Sequence, residues 1–491
     1  MGVIAKESSR ATIISYFGII IGFISSALIM PKIFSPEQIG VIRVINAASG
    51  IFAGIFSLGI SQLVFRAYNS FGKEKGVNGF LSITLLVCAL GSVVGLPFYF
   101  VLYERILDIK PGISEFTSSE YFVLFVYVLI VARIFYIGLE AVLRMTRNIS
   151  LIAVLRDIVI KGAPLILLIL YYFDVLQFDN YVVLYYLIFV LIPIYVFVFL
   201  YKREGIKIGK IRGYTKSDVK SLSSLATFGM LNTIAAAFFL FLDTLMVNEF
   251  LSETAVGVYS TMFLFGSVVS IPSKSLRNIS GVLIVEALQK NAMDTVNEIY
   301  KKSTRALIVV CGGVFVLIWA NIHSIIGYLD PVYATGTLVV LIIGLAQLFD
   351  AVFGTASDIL SGSKYYWVHT PITLVMISMA IGTNLWLIPR LEMVGAALAT
   401  LISLAFLHLT RALFVYFLFK IHPFSVRSTI GMLICLVTFA IAHFAPNFEN
   451  IYLNLIYKSA IILVVYIPAI YFFKVSEDIN EKIDGILKRR N

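Results

Sequence analysis

Two basic residues, Lys274 and Arg277, lie three positions apart inside an apolar run, so a helix would carry both on one face. No acid lies within four residues of either, and Ser270 and Gly281 extend that face with small or polar groups. A charge at membrane depth costs about 2.5–3.5 kcal/mol, so it faces the protein interior, is paired or has a function. Arg can grip phosphate oxygens in pairs and Lys adds a point charge, so the two residues are predicted to bind a diphosphate. The alternatives are pairing with an acid on another helix, or extension of the side chains to the inner surface.

Two further arginines in apolar runs are candidate substrate-binding residues. Arg133 has no acid three or four residues away. Arg43 lies near the outer end of its run, where it could guide substrate release or act as an interfacial anchor. Arg411, near an inner end, is expected to extend to the membrane surface as an anchor.

Other charges have partners at helical spacing. Glu140 and Arg144 are four residues apart in the favourable order, and so are Asp157 and Lys161. Both are predicted to be local pairs. The second pair would leave Arg156 free to line the cytosolic half of a substrate cavity.

Three acids also fall within apolar runs: Asp243, Asp350 and Asp358. A carboxylate in a membrane binds H⁺ or Na⁺, or balances an arginine. Asp350 is a candidate coupling or substrate residue, and Asp243 is expected to be a structural charge partner. The five histidines and three cysteines show no metal-ligand or His-Asp spacing, so neither a metal site nor a bound cofactor is predicted.

The elements that carry these residues are predicted to be membrane-spanning helices. The 491-residue chain is 59% hydrophobic and only 13% charged, too few charges to cover a water-facing surface. About fourteen apolar runs are long enough to span a bilayer. They lie near 11–31, 40–64, 78–102, 120–143, 149–172, 179–201, 224–249, 256–284, 305–328, 334–360, 365–388, 393–418, 425–445 and 453–473.

Orientation follows from the basic residues between the runs. With the N-terminus inside, most of the 38 Lys and Arg residues fall in inside segments or in spans. The residues left outside are Lys32, Arg105, Lys110, Arg390 and Lys458. Both termini are therefore predicted to be cytoplasmic. The net charge of +10 follows this distribution and does not indicate a nucleic-acid surface.

A short motif occurs twice and suggests a duplicated six-helix unit. Ser35 is followed five residues later by Gly40-Val41, and Ser252 by Gly257-Val258, each time between two long apolar runs. Parallel repeats with the substrate between them are a transporter architecture. The predicted organisation is an N-terminal lobe (1–201), a basic cytosolic linker (202–223), a C-terminal lobe (224–418), two added helices (419–473) and a cytosolic tail (474–491).

Four segments resemble the multidrug/oligosaccharidyl-lipid/polysaccharide flippase superfamily, and within it the bacterial O-antigen flippase branch. They are Ser15–Phe23 (SYFGIIIGF), Pro31–Gly40 (PKIFSPEQIG), Asp243–Leu251 (DTLMVNEFL) and Val256–Ser260 (VGVYS). The resemblance implies two six-helix bundles facing each other around a polar cavity. It also implies export of an undecaprenyl-diphosphate-linked oligosaccharide, for O-antigen, lipopolysaccharide or other polysaccharide biosynthesis, across the bacterial inner membrane by alternating access. Cationic residues on span eight, here Lys274 and Arg277, fit that pattern, whereas span one carries only Arg10, at its cytosolic edge.

Two other functions compete with lipid-linked oligosaccharide transport. A drug or organic-cation antiporter of the same superfamily would need a carboxylate-dominated cavity, but the first four spans offer only Glu140. A membrane polysaccharide polymerase or ligase would need a large outside loop with Arg and His, and the outside loops are short. The chain is therefore expected to be a transporter rather than an enzyme. Its expected partners are the lipid-linked oligosaccharide, membrane lipids and other polysaccharide assembly proteins, without nucleic acid.

Overall fold

The computed structural model describes residues 2–64, 77–106, 119–206, 208–209 and 216–488, and over these ranges the chain is helical without strands. Long apolar runs form helices because a helix satisfies every backbone group internally where no water is available. The first helices are α1 (Gly2–Phe23), α2 (Met30–Ile33), α3 (Pro36–Phe56), α4 (Val77–Ile106), α5 (Glu120–Met145), α6 (Ile149–Ala153), α7 (Ile160–Tyr172), α8 (Phe178–Lys202) and α9 (Lys216–Phe250). The following ones are α10 (Glu253–Ser267), α11 (Ile271–Gln289), α12 (Met293–Ala320), α13 (Ile322–Tyr328), α14 (Thr337–Phe353), α15 (Thr355–Gly362), α16 (His369–Phe419), α17 (Val426–Phe444), α18 (Ile451–Phe472) and α19 (Glu477–Lys488).

The described helices confirm the prediction of an all-α polytopic membrane protein. Twelve of the described helical stretches are long and apolar enough to span a membrane. A thirteenth is the stretch from α6 through the π-helix Val154–Val159 to α7; its three charged side chains are Arg156 and Asp157 on the π-helix and Lys161 on α7. A fourteenth comes from the stretch 366–419, because the backbone leaves helical geometry at Glu392, with φ 50° and ψ −132°. The predicted outside loop at Arg390 is thus a kink within α16, just after Pro389.

Several spans are interrupted at the residues that carry charge. A 3₁₀ turn, Val268–Ser270, separates α10 from α11 directly before Pro272. Gly354 separates α14 from α15, between Asp350 and Asp358. Such breaks free backbone groups and let neighbouring side chains change direction within one span.

The duplicated motif forms a reciprocal contact. A Cβ on Gly40 would overlap the carbonyl oxygen of Glu253, and a Cβ on Gly257 would overlap the carbonyl oxygen of Pro36. Thr254 Oγ1 donates to Glu37 Oε1 over 3.2 Å, across a sequence separation of 217. The same separation relates Pro36 to Glu253 and Gly40 to Gly257. Residues at equivalent positions of the two motifs therefore contact each other reciprocally, while the duplication of a six-helix unit stays a prediction.

Contacts divide the chain into two compact units, Met1–Gly257 and Val258–Asn491. The proposed division into lobes, linker, added helices and tail stays a prediction. Residues 207 and 210–215 of that linker lie outside the described residues, whereas α9 begins at Lys216, before the expected start of the second lobe.

Lys458 does not lie in an outside segment, contrary to the expectation from charge distribution. It is within α18, its side chain is buried, and its Nζ donates to the carbonyl oxygens of Ala442 and Ala445 over 2.8 and 2.6 Å. These carbonyls end α17, so the lysine ties the last two long helices together. A cation at a helix C-terminus is also favoured by the helix dipole.

Candidate functional site

Arg277 is paired with an acid on another helix, the alternative that its sequence context left open. In the second unit, Nη1 of Arg277 on α11 lies 3.0 Å from Oδ1 of Asp350 on α14. A Cβ on Gly354 would come within 2.7 Å of Arg277 Nη1. The glycine at the α14–α15 break therefore leaves the space that the guanidinium occupies.

Asp350 has a second partner that the sequence did not indicate. His408 Nε2 on α16 lies 3.2 Å from the same Oδ1 that binds Arg277. The His408 side chain is only 5% exposed, and its Nδ1 is buried without a hydrogen-bond partner among the described residues. The spacing of the histidines in the sequence did not indicate this contact, because the partner comes from a helix distant in sequence.

Two more charges complete this group. Asp358 Oδ2 on α15 lies 3.8 Å from Arg277 Nε. Arg411, one turn after His408, donates to Thr373 Oγ1 over 3.1 Å and lies within electrostatic range of Arg277 and both aspartates. Arg411 is half-buried in the protein and is not the surface anchor that was expected. We call Arg277, Asp350, Asp358, His408 and Arg411 the Asp350 cluster.

Lys274 has a different environment from Arg277, although the two share a helix. Its side chain is exposed, and no acid among the described residues lies within ion-pair distance of it. Of the two predicted diphosphate ligands, the structure therefore pairs Arg277 and leaves Lys274 without a counter-charge in the described chain.

In the first unit, Arg133 is held by neutral groups. Its Nη2 on α5 donates to Asn46 Oδ1 over 2.5 Å, and its Nη1 donates to the Asn46 carbonyl over 3.3 Å. The guanidinium carbon lies 4.7 Å from the ring centroid of Phe189, a cation–π distance. Tyr185 and Tyr186 lie within electrostatic range of the guanidinium.

Arg43 lies one turn before Asn46 on α3, within electrostatic range of Tyr181 and Tyr186. Its Nε and Nη2 are buried and have no hydrogen-bond partner among the described residues. Among those residues, no carboxylate lies within ion-pair distance of Arg43 or Arg133. We call Arg43, Asn46, Arg133 and the tyrosines at 181, 185 and 186 the Arg133 site.

The charges on and just after the π-helix between α6 and α7 are paired with one another. Lys161 Nζ lies 2.6 Å from Asp157 Oδ1, as predicted, and Ser15 Oγ donates to Asp157 Oδ2 over 2.6 Å. Arg156 Nη2 also binds Asp157, at 2.9 Å. The expectation that Arg156 stays free is therefore wrong, because one buried carboxylate serves both cations.

The remaining predicted charges are local partners. Glu140 and Arg144 form the predicted pair, with an N···O distance of 2.5 Å. Asp243 is half-buried on α9 and interacts with its surroundings. Within the described ranges, no group of three or more His, Cys, Asp or Glu side chains is arranged to hold a metal ion.

An apolar cavity of about 610 Å³ lies in the second unit, between α12, α14 and α17. Its walls are aliphatic and aromatic, with Leu345, Leu348 and Phe349 on the helix that carries Asp350. Phe315, Leu436 and Phe439 line the opposite side. A cavity with such walls accepts a hydrocarbon chain and offers polar groups nothing to bind.

The fold and one stretch of sequence match known proteins. Residues 229–387 match the family model MatE. A structure of the lipid II flippase MurJ in an inward closed conformation aligns with a TM-score of 0.73 at 14% identity, covering 94% of this chain and 98% of that chain. An inward-facing multidrug resistance MATE family transporter of the MOP superfamily aligns with a TM-score of 0.64 at 12% identity, covering 85% and 98%. An outward-facing one gives a TM-score of 0.55 at 11% identity, covering 85% and 96%.

The comparison with curated proteins gives no sequence match. The twelve apolar helices of the described residues define a multi-pass membrane protein, and its fold is similar to those of a lipid II flippase and a MATE family transporter. With the match of residues 229–387 to MatE, this similarity confirms the resemblance to the multidrug/oligosaccharidyl-lipid/polysaccharide (MOP) flippase superfamily.

Proposed function

We propose that this protein flips an undecaprenyl-diphosphate-linked oligosaccharide across the bacterial inner membrane by alternating access, with both termini in the cytoplasm. The observation that carries the proposal is the pair of half-buried arginines, Arg43 and Arg133, which have buried nitrogen atoms without acceptors and no carboxylate within ion-pair distance among the described residues. An arginine cannot lose its charge in a protein, so its burial without a counter-ion must be compensated. An anionic group that enters the site supplies this compensation.

The chemistry of the Arg133 site suits a phosphate group. Arg43 offers two buried nitrogen atoms that lack acceptors, and Arg133 offers a guanidinium that only neutral groups hold. An unmade buried hydrogen bond costs about 1–3 kcal/mol, so a ligand with several acceptor oxygens regains that energy on binding. Phosphate presents such oxygens in a geometry that guanidinium groups match.

The second unit carries features of its own that suit a lipid-linked anion. Lys274 is an exposed cation without an acid partner in the described chain, which suits the negative headgroup. The apolar cavity between α12, α14 and α17 suits a polyprenyl chain. The fold similarity to a lipid II flippase supports a lipid-linked substrate.

A drug or organic-cation antiporter remains the second candidate, because residues 229–387 match the MatE model and include both Asp350 and Asp358. A cationic substrate would need those carboxylates to be available. In this structure Asp350 is bound by Arg277 and His408, and Asp358 lies near Arg277. The charge arrangement therefore favours an anionic substrate.

A deletion strain that is complemented with variants tests the proposal. Loss of the protein should trap undecaprenyl-linked repeat units on the cytosolic leaflet. The double variant Arg43→Gln, Arg133→Gln should fail to relieve the trapping while inserting normally into the membrane, and so should Lys274→Ala with Arg277→Ala. Arg390→Gln is the matched control, because Arg390 is exposed and contacts Trp386 outside both sites. Lost drug resistance with normal surface glycan would instead support the antiporter.

A further inference from the structure

We infer that Asp350 and His408 together bind a proton, and that this proton releases Arg277 from Asp350 so that the guanidinium can bind an anionic ligand. The inference deepens the proposed function, on which only the identity of the anion depends. The transporter would then link entry of the negative headgroup to uptake of a proton.

The geometry shows competition for one atom. Arg277 Nη1 and His408 Nε2 approach the same carboxylate oxygen, Asp350 Oδ1, at 3.0 and 3.2 Å. One carboxylate offsets one unit of positive charge. If His408 became an imidazolium while Arg277 stayed in place, one positive charge would be left uncompensated in a half-buried site.

The hydrogen bonds indicate which form of His408 is present. His408 Nδ1 is buried without a partner, so a proton there would be an unsatisfied donor. A proton on Nε2 can instead be donated to Asp350 Oδ1. The arrangement therefore fits a neutral imidazole with its proton on Nε2, while Arg277 is the counter-charge of Asp350. One further proton bound by the Asp350–His408 pair would add one positive charge to the pair.

The charge balance of the Asp350 cluster explains why a ligand and a proton would bind together. With His408 neutral, Arg277 and Arg411 balance Asp350 and Asp358. Adding a proton makes His408 the counter-charge of Asp350 and leaves a positive charge on Arg277 for the anion. A hydronium ion loses the proton by breaking one O–H bond and becomes water, and the proton forms one N–H or O–H bond within the Asp350–His408 pair.

The groups around Asp350 come from every neighbouring helix. Arg277 approaches from α11 and Asp358 from α15, and Arg411 lies on the same helix as His408. The thiol of Cys311 on α12 is within electrostatic range of the carboxylate and is fully buried. Of these, only His408 is ordinarily able to change its charge between about pH 5 and 8.

A first experiment tests the competition without any ligand. Full-length protein labelled with ¹⁵N-histidine contains five histidines, and the signals of His408 are those lost in His408→Gln. The imidazolium fraction of His408 is followed between about pH 5 and 8. Removal of the rival cation in Arg277→Gln should raise the ratio of charged to neutral His408 about tenfold at a given pH, and Asp350→Asn should lower it. His369→Gln is the control, because His369 is on the same helix but contacts Ser361. An unchanged His408 titration in Arg277→Gln would overturn the inference.

A second experiment tests the exchange itself with inorganic pyrophosphate as the probe. Binding of pyrophosphate to wild-type protein in weak buffer should take up about one more proton per bound anion than binding to Asp350→Asn. The ratio of the pyrophosphate affinity of wild-type protein to that of Asp350→Asn should therefore change about tenfold per pH unit. Because pyrophosphate itself titrates, only the difference between the two proteins is interpreted. His408→Gln, which keeps a donor for Asp350 but cannot gain charge, should behave like Asp350→Asn.

The two experiments separate the inference from the proposed function. Equal proton uptake in wild type and both variants refutes the proton site while the anion site stands. If pyrophosphate fails to bind wild-type protein but Arg277→Gln still shifts the His408 titration, the proton site stands and the diphosphate assignment is wrong.

Discussion

Substitution of either Gly40 or Gly257 should separate the same two segments, the start of α3 and the start of α10. A Cβ at Gly40 meets the backbone of Glu253, and a Cβ at Gly257 meets the backbone of Pro36. Backbone carbonyls cannot rotate away as a flexible side chain would, so α3 and the start of α10 must separate. Gly40→Ala and Gly257→Ala are therefore expected to destabilise the protein to a similar extent.

The magnitude follows from two opposing effects. Overpacking costs about 1–3 kcal/mol, whereas replacing a helical glycine by alanine gains about 0.5–1 kcal/mol. Each variant should lose about 1–2 kcal/mol, including the weakened Thr254–Glu37 hydrogen bond. Once the helices have separated, the second alanine meets little resistance. The double variant should therefore lose about as much as either single variant rather than their sum.

Thermal unfolding of the purified protein measures this prediction. For a unit of this size, about 1 kcal/mol corresponds to about 2–4 °C in the unfolding midpoint. Gly382→Ala is the matched control, because Gly382 lies in α16 with nothing within 4 Å of a Cβ, and it should be neutral or slightly stabilising. Fully additive losses in the double variant would refute the shared contact, as would a control that loses as much as Gly40→Ala.

Three further predictions follow from side-chain pairs. Lys458→Met should destabilise the protein by about 2–4 kcal/mol, because two charged hydrogen bonds to the end of α17 are lost, and thermal unfolding measures this loss. Asp157→Asn leaves Arg156 and Lys161 without their shared acid and should lower the free energy of unfolding by about 1–3 kcal/mol. This figure is below that for a fully buried pair because both cations are partly exposed. Adding Lys161→Met to Asp157→Asn should restore part of the loss in the same unfolding assay. The Arg427 guanidinium, by its hydrogen bond, holds the pKa of Glu477 below its ordinary value, so the pair anchors α19 at neutral pH and loses its effect as the pH falls through that lowered pKa. Limited proteolysis of α19 should therefore distinguish Glu477→Gln from wild type at pH 7 and not at a pH well below 4, and equal cleavage at both pH values would contradict the prediction.

Sequence spacing predicted contacts within one helix and missed most contacts between helices. Glu140 with Arg144 and Asp157 with Lys161 follow from the helical period, and both pairs are present. The contact of His408 with Asp350 depends on how α16 packs against α14, and no local pattern encodes that packing.

The lengths of the apolar runs predicted the spanning helices, but the contacts of the remaining charged residues depend on how far their side chains reach. Lys458 stood next to a predicted outside end, yet its long side chain turns inward to the carbonyls of α17. Arg156 binds the residue directly after it, although neighbours in a helix point in different directions, because the guanidinium reaches around the backbone. The number of spans depended only on apolar length, and for that reason it could be predicted.

The apolar cavity beside α14 also limits how a proton can arrive. Its walls hold almost no hydrogen-bonding atoms, and Leu345, Leu348, Phe349 and Val352 surround the position of Asp350 along the helix. A hydrocarbon-lined space stays dry, so no chain of water molecules can conduct protons through it. The cavity thus offers no aqueous path to Asp350, and water must reach this carboxylate from a side that carries its polar neighbours, among them Arg277, Asp358 and His408.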